Sequence, residues 1–183
     1  MKKKINVIDL DKTLLPYDSF RLYIISLLKR PKFFIFIVPI LIMRAMRIID
    51  PDTFKKKIVI RARKEYKYDY LMKVFAEKLF NDIDKSIISK IETFTDRDTI
   101  NILCTASIDD YVCHLAEQLD WKFICSNYNP ENEIFIHMHG KNKVKAIENL
   151  YPSSEYIYYF AISDSPTDNN LLKKFESGVL INQ

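Results

Sequence analysis

Glycine is scarce in this sequence, which has only Gly140 and Gly178 among its 183 residues. Glycine-rich loops hold nucleotide phosphates because their backbone amides can approach the ligand closely. The sequence has no such loop, which excludes the nucleotide-binding classes that depend on one. Any phosphate group bound here must be held by side chains, by a metal ion or by single backbone amides.

Cysteine is nearly as rare, with three residues in the sequence. Cys104, Cys113 and Cys125 are odd in number and form no close pair, which excludes a disulfide scaffold and a paired-cysteine zinc site. We expect free thiols in a reducing compartment, which predicts a cytoplasmic protein. The basic Met1–Lys4 stretch leads directly into a strand-like run and lacks the cleavage site of a signal peptide.

No apolar run is long enough to cross a bilayer. The longest, Phe33–Met43, has 11 residues and contains Pro39, whereas a spanning helix needs about 20. Two interpretations remain open for this run. It is either a core helix of a helical bundle or a membrane-facing surface, flanked by Arg44, Arg47 and the lysines at 55–57. The second would make the protein membrane-peripheral.

Positive charge is concentrated in one segment. Residues 29–78 contain 14 Lys or Arg against 5 Asp or Glu, while the rest of the chain has 14 basic and 19 acidic residues. Such asymmetry is typical either of an anionic partner or of a solvated helical surface. No nucleic-acid-binding module is recognisable, so we do not expect nucleic acid to be that partner.

Strand and helix patterns alternate along most of the chain. Strand-like runs fall at 5–8, 99–104, 121–125, 133–138, 156–162 and 179–181, and helical patterns fall at 84–94, 109–119, 141–150 and from Pro166 to about Phe175. Residues 16–82 show helical patterns only. This order predicts an α/β fold, with a Rossmann-like parallel sheet covered by helices on both faces and an all-helical cap inserted after the first strand. We assign residues 1–15 and 83–183 to the α/β core domain and 16–82 to the cap domain.

Polar residues follow three of the predicted strands. They are Asp9 and Asp11 after the first, Thr105, Ala106 and Ser107 after the second, and Asp164 and Asp168 after the fifth. The carboxyl ends of parallel strands meet at one edge of a sheet, where ligands bind. We therefore expect these clusters to converge on one site.

The residue types in these clusters suit phosphoryl transfer. A carboxylate that attacks a phosphate dianion needs its charge offset, and Mg²⁺ held by Asp9 and Asp164 would supply that. A hydroxyl such as Thr105 can donate to a phosphate oxygen, and a lysine adds a positive charge. Asp11 is placed to protonate the leaving oxygen and then to activate water.

Four motifs, in this order, resemble those of the haloacid dehalogenase superfamily. They are Asp9-Leu10-Asp11-Lys12-Thr13, Ile102-Leu103-Cys104-Thr105, Lys143 near a helix start, and Asp164-Ser165-Pro166-Thr167-Asp168. Each motif is weak alone, but four in order at predicted element ends are specific. The helical insertion resembles the cap of the phosphoserine-phosphatase-like branch.

The resemblance implies a role for each motif residue. Asp9 would be the nucleophile and Asp11 the general acid and base, and Thr105 and Lys143 would bind the phosphoryl group. Mg²⁺ would be held by Asp9, the backbone carbonyl of Asp11 and Asp164, with Asp168 in support. The second aspartate of the first motif is typical of phosphatases rather than dehalogenases.

Several assignments stay open. Ser107 rivals Thr105 for the phosphate-binding hydroxyl, and Lys141 and Lys145 rival Lys143. Asp18 stands where relatives place a substrate-contacting acid, but it also suits a helix N-cap. His137 and His139 alternate along one predicted strand, although two ligands without a third make a weak metal site.

The predicted function is a Mg²⁺-dependent phosphatase that hydrolyses a small-molecule phosphomonoester through a phospho-aspartate on Asp9. A lipid-linked or otherwise amphiphilic phosphate ester would suit a membrane-facing cap. The alternatives are a phosphotransferase that uses the same phospho-aspartate, and a membrane-surface or lipid-phosphate binding protein that retains the fold. The sequence predicts neither the substrate nor the oligomeric state.

Overall fold

The structure is a computed structural model that describes residues 2–181. The strands are β1 (Lys3–Ile8), β2 (Thr99–Ile108), β3 (Lys122–Asn129), β4 (Ile134–Ile136), β5 (Tyr156–Ser163) and β6 (Ser177–Leu180). The helices are α1 (Ser19–Leu28), α2 (Pro31–Ala45), α3 (Pro51–Ala62), α4 (Tyr68–Asn81), α5 (Lys85–Glu92), α6 (Asp109–Leu119), α7 (Lys141–Leu150) and α8 (Asn169–Leu172). A 3₁₀ turn at Pro166–Asp168 precedes α8.

The six strands form one sheet in the order β4-β3-β2-β1-β5-β6. All neighbours are parallel except β4, which pairs antiparallel with β3. Strand β1 lies in the middle because the chain first moves outward through β2 and β3 and later returns to the other side through β5. That reversal makes a topological switch point at the carboxyl ends of β1 and β5. The predicted α/β fold class is confirmed.

Each face of the sheet is covered by a different set of helices. Alternate residues of β1 point to opposite faces, so Ile5 and Val7 belong to one apolar cluster and Ile8 to the other. The first cluster is closed by α7 and α8 through residues such as Ile147 and Leu172. The second is closed by α6 and by the helices inserted between β1 and β2.

The inserted helices are continuous with the core that they cover. Tyr23 of α1 and Phe75 of α4 pack against Tyr111 of α6, with ring centroids 5.8 and 5.1 Å from it. The hydroxyl groups of Tyr23 and Tyr68 lie 2.7 Å apart inside this layer. The helical content predicted for residues 16–82 is therefore confirmed, while the division into two domains stays a prediction.

Helix α2 uses only one side for packing. Phe33 and Ile37 are buried, whereas Phe34, Ile35 and Ile42 are exposed. Neither interpretation of the Phe33–Met43 run is sufficient alone, because one side belongs to the core and the other faces outward. Within residues 2–181, no helix is long and apolar enough to cross a membrane.

Several predicted boundaries were wrong, including the end of β3, which was predicted at Cys125 and lies at Asn129. Strand β2 does not end at the Thr105–Ser107 cluster but runs to Ile108, because it pairs with β3 beyond the end of β1 through an irregular register after Thr105. The helix predicted to reach Phe175 ends at Leu172. Phe175 instead stacks on Tyr158 of β5, with ring centroids 5.0 Å apart, and so draws the chain back to the sheet.

Gly178 is required where β6 passes under α8. A Cβ atom at this position would lie against the carbonyl oxygen of Leu172 and 2.8 Å from its carbonyl carbon. We expect Gly178→Ala to lower the free energy of unfolding by about 2 kcal/mol, because neither backbone segment can yield easily. Urea unfolding followed by circular dichroism measures this, with Ser177→Ala on the same strand as control. Equal stability of the two variants would show that the helix can move away.

Candidate active site

All three polar clusters meet in one cavity of about 240 Å³ at the carboxyl edge of the sheet. Its lining comprises Asp9, Asp11, Lys12, Asp18, Thr105, Ala106, His139, Lys143, Asp164, Ser165 and Asp168. Every residue proposed from the sequence for catalysis, metal binding or phosphate binding is in this set except Ser107. The cavity lies beside the switch point between β1 and β5, where an α/β sheet of this topology binds its ligands.

Asp9 is fixed directly after β1. Its backbone N–H donates to the carbonyl of Ile162 on β5 at 3.0 Å, which extends the parallel pairing by one residue. Its carboxylate is almost buried and accepts from Lys143 Nζ at 3.0 Å and from Ser163 Oγ at 3.3 Å. The side chain therefore faces the cavity with a cation beside one oxygen and a hydroxyl beside the other.

Lys143 reaches the cavity from the first turn of α7 and is only 3% exposed. Its ammonium group also donates to Asp168 Oδ2 at 2.7 Å. Burial acts to lower the pKa of Lys143, but the nearby charges of Asp9 and Asp168 prevail and raise it. The lysine is thus a permanent cation. Lys141 and Lys145 on the same helix are exposed, which leaves Lys143 as the lysine of the site.

Asp11 is held apart from this ion pair. Its Oδ1 accepts the backbone N–H of Ser19, the first residue of α1, and its Oδ2 accepts Ser107 Oγ, both at 2.7 Å. Burial raises the pKa of Asp11 to about 6, although these hydrogen bonds oppose the shift. The two aspartates of one motif consequently have different environments. One is an ion-paired carboxylate, and the other is a carboxyl group that can gain or lose a proton near neutral pH.

Thr105, which ends the second motif, and Ser107 have different surroundings. Thr105 lines the cavity, and its Oγ1 accepts the backbone N–H of Ser107 at 3.1 Å. Ser107 is buried behind it, bonded to Asp11 and 2.8 Å from Ser19 Oγ. Ala106 lies between them, and its carbonyl accepts Ser126 Oγ. The geometry favours Thr105 as the hydroxyl that faces a ligand.

The acids of the fourth motif suit a hard cation. The backbone N–H of Asp164 donates to Thr13 Oγ1 at 3.0 Å, which joins the first motif to the fourth. Burial and the neighbouring charge of Asp9 raise the pKa of Asp164, so a cation between these carboxylates would relieve their repulsion. Asp168 Oδ1 is buried without a hydrogen-bond partner in the described chain. A buried carboxylate oxygen of this kind requires a donor or a cation.

These residues fit Mg²⁺, which prefers oxygen ligands and keeps several waters. Within residues 2–181, no group of three or more His, Cys, Asp or Glu side chains is close enough to hold a metal ion unaided. The ligand set implied by the motifs does not require three such side chains. Its direct ligands are two side chains, Asp9 and Asp164, together with the main-chain carbonyl of Asp11.

Asp18 is a helix N-cap, as one of its two sequence interpretations predicted, while its contact with a substrate stays a prediction. Its side chain caps α1 by accepting the backbone N–H of Arg21 at 2.8 Å. It also lines the cavity. A capping carboxylate that faces a binding site can contact a polar or cationic group of a ligand while it stabilises the helix.

Sequence reasoning missed several residues of the site. Lys55 on α3 donates to the carbonyl of Ala106 at 2.7 Å and so brings a cation of the helical insertion to the cavity edge. Ser163 donates to both Asp9 and Asp168. Signals existed for both residues, because Lys55 lies in the basic segment and Ser163 immediately precedes Asp164.

The two histidines do not form a metal pair. His137 Nδ1 lies 2.6 Å from Asp52 Oδ1 on α3, and His137 Nε2 lies 3.4 Å from Lys55 Nζ. His139 stacks on His137 and lines the cavity. We conclude that His137 connects the β4 region to α3, while His139 forms part of the cavity wall.

The strand order, the four motifs that converge at the switch point and the helical insertion after β1 together define an α/β fold with a candidate site built on aspartates. A family model for haloacid dehalogenase-like hydrolases matches residues 7–173. The chain belongs to this family. Comparison with curated protein sequences gave no match.

Solved structures share the fold. A protein with unknown function from Bordetella pertussis Tohama I has a TM-score of 0.72 at 13% identity, covering 94% of this chain and 87% of that one. A phosphoserine phosphohydrolase-like protein from Francisella tularensis subsp. tularensis SCHU S4 has a TM-score of 0.56 at 20% identity, covering 95% and 84%. Phosphoserine phosphatase, in a structure described as a phospho-aspartyl intermediate analogue, has a TM-score of 0.52 at 14% identity, covering 98% and 86%. The resemblance to a phosphoserine-phosphatase-like fold is thereby confirmed.

Replacing the buried Lys143 tests how much its ion pairs contribute to the free energy of unfolding. Lys143→Met keeps the length of the side chain but leaves Asp9 and Asp168 without their shared cation, so we expect a loss of about 3 kcal/mol in the free energy of unfolding. Urea unfolding measures this. Lys145→Met, on the exposed side of the same helix, is the matched control and should differ little from wild type. A Lys143→Met variant as stable as this control would show that the ion pairs add no net stability.

Proposed function

We propose that this protein is a Mg²⁺-dependent phosphatase that hydrolyses a small-molecule phosphomonoester through a phospho-aspartate on Asp9. The observation that carries the proposal is the division between the two aspartates of the first motif. Asp9 is ion-paired to Lys143 and faces the cavity, whereas Asp11 is held by Ser19 and Ser107, and burial raises its pKa to about 6. A nucleophile and a separate proton carrier are what two-step hydrolysis requires.

In the first step, an Asp9 oxygen attacks the phosphorus atom and the ester bond to the leaving oxygen breaks. Lys143 and Thr105 would hold the phosphoryl oxygens by hydrogen bonds, the lysine with a full positive charge and the threonine with a neutral hydroxyl. Asp11 in its protonated form gives its proton to the leaving alcohol oxygen.

In the second step, water attacks the phosphorus atom of phospho-Asp9. Asp11, now ionised, takes the proton from that water, and free phosphate and the Asp9 carboxylate are regenerated. Its pKa of about 6 allows both protonation states near neutral pH.

Asp9, the carbonyl of Asp11 and Asp164 would hold Mg²⁺, with Asp168 in support. When bound, the ion offsets the negative charge of the phosphate group and of the surrounding carboxylates. The small, charged cavity also favours a compact phosphate ester. The different surroundings of Asp9 and Asp11 argue against a binding protein that only retains the fold. Such a protein has no need for a proton-carrying carboxyl group beside an ion-paired one.

Asp9→Asn tests the nucleophile. We expect Mg²⁺-dependent hydrolysis of p-nitrophenyl phosphate to fall by at least about 10³-fold, because an amide cannot form the covalent intermediate. Acid-quenched wild type should carry phosphate on the peptide that contains Asp9, and the variant should not. Asp98→Asn, at an exposed position, is the isosteric control. Wild-type turnover by Asp9→Asn would exclude the mechanism.

The roles of Thr105 and Ser107 can be distinguished with one variant of each residue. Thr105→Val should raise the inhibition constant of inorganic phosphate by about tenfold, because one hydrogen bond to a charged ligand is lost. Ser107→Ala should leave that constant nearly unchanged and instead slow turnover, because Asp11 loses a donor. Steady-state kinetics with phosphate as product inhibitor measures both effects. The opposite pattern would assign the phosphate-binding role to Ser107.

A further inference from the structure

The outward side of α2 is an apolar surface that the described chain leaves uncovered. Ile35, Ile42 and Met46 are 71%, 52% and 65% exposed, and with the exposed Pro39 they follow at intervals of three or four residues. This spacing places all four on one side, which we call the α2 outer face. The buried Phe33 and Ile37 lie on the opposite side.

A helix that is apolar on both sides is unusual for a protein surface. Surface helices normally turn their polar residues outward, and helices that are apolar all round are covered by protein or lipid. Between Pro31 and Met43 the only charged residue is Lys32, in the first turn of the helix. We therefore expect a partner molecule to cover the α2 outer face.

The charges around this face identify the chemistry of that partner. Residues 19–49 contain no Asp or Glu and six basic residues, which are Arg21, Lys29, Arg30, Lys32, Arg44 and Arg47. Lys32 and Arg47, both exposed, stand at the two ends of the helix. An apolar strip with a cation at each end complements a surface of anionic head groups above acyl chains.

A second copy of this chain is a poorer partner. Two copies that met through this face would bring two sets of basic residues together, and the nearest acid in sequence, Asp50, already caps α3, whereas anionic lipid neutralises these charges. Helix α2 has 15 residues and is thus about 22 Å long, too short to cross the roughly 30 Å hydrocarbon core. Its geometry fits a position parallel to the bilayer.

We propose that the α2 outer face docks this protein onto anionic membranes, with Ile35, Ile42 and Met46 entering the boundary between head groups and acyl chains. Lys32 and Arg47 contact the head groups at either end. This inference goes beyond the proposed function and does not depend on it, because it concerns where the protein sits and not what Asp9 does.

Vesicle sedimentation with the purified protein tests the proposal. The probes are vesicles of phosphatidylcholine alone and vesicles of the same size in which about a third of the lipid is phosphatidylglycerol. We expect binding to the anionic vesicles at low salt, weaker binding at high salt, and little binding to the neutral ones. Ile35→Ser/Ile42→Ser should weaken the binding by roughly tenfold or more, because the inserted apolar area is lost. Lys32→Gln/Arg47→Gln should do the same by removing charge.

Matched controls carry the same changes elsewhere. Ile134→Ser/Leu150→Ser alters two equally exposed apolar residues, and Lys90→Gln/Lys145→Gln removes two exposed charges away from α2. Both should bind like wild type. Absence of wild-type binding to anionic vesicles at low salt would overturn the proposal, as would equal loss in the controls. Self-association that Ile35→Ser/Ile42→Ser abolishes, seen by sedimentation velocity together with no vesicle binding, would show that a second copy covers the face instead.

Discussion

The ammonium group of Lys143 is the contact on which the site depends. It lies between Asp9 and Asp168 in a nearly dry environment and joins the ends of three separate chain segments. Without Lys143, the buried carboxylates of Asp9 and Asp168 would repel each other. Without the two carboxylates, a buried lysine would lose its proton. The three groups are therefore stable only as a set, and Ser163 completes the set with its hydroxyl.

A second network links the site to the helical insertion. Ser19 begins α1, donates its N–H to Asp11, and places its hydroxyl 2.8 Å from Ser107 Oγ and 3.0 Å from Tyr111 OH. Asp11 is thus linked directly to the first turn of the insertion and, through Ser19, to Tyr111 of α6. The hydrogen bonds to Asp11 therefore come both from the insertion, through Ser19, and from the sheet, through Ser107.

The sequence was sufficient to predict the fold class, the order of the elements and the convergence of the three acidic and hydroxyl clusters. Those follow from apolar periodicity and from a general rule about the ends of parallel strands. It could not predict that Ser107 turns inward to Asp11 while Thr105 faces the cavity, because adjacent hydroxyls differ only through the register shift between β2 and β3. Lys55 lies in the basic segment, but its place beside the cavity could not be predicted for a related reason. Its contact with Ala106 depends on how α3 packs over the sheet, which no local pattern encodes.

The scarcity of glycine has a consequence at the mouth of the cavity. The turn directly after Asp11 places Lys12 at φ 54°, a left-handed conformation that most side chains avoid at a cost of about 1 kcal/mol or more. A glycine would adopt this turn without strain but would present no side chain. By accepting the strain, the chain places a long, flexible cation on the rim beside Asp9 and Asp11, where it lines the cavity. The left-handed turn of the first motif therefore carries a positively charged side chain at the cavity, where a glycine would leave only backbone.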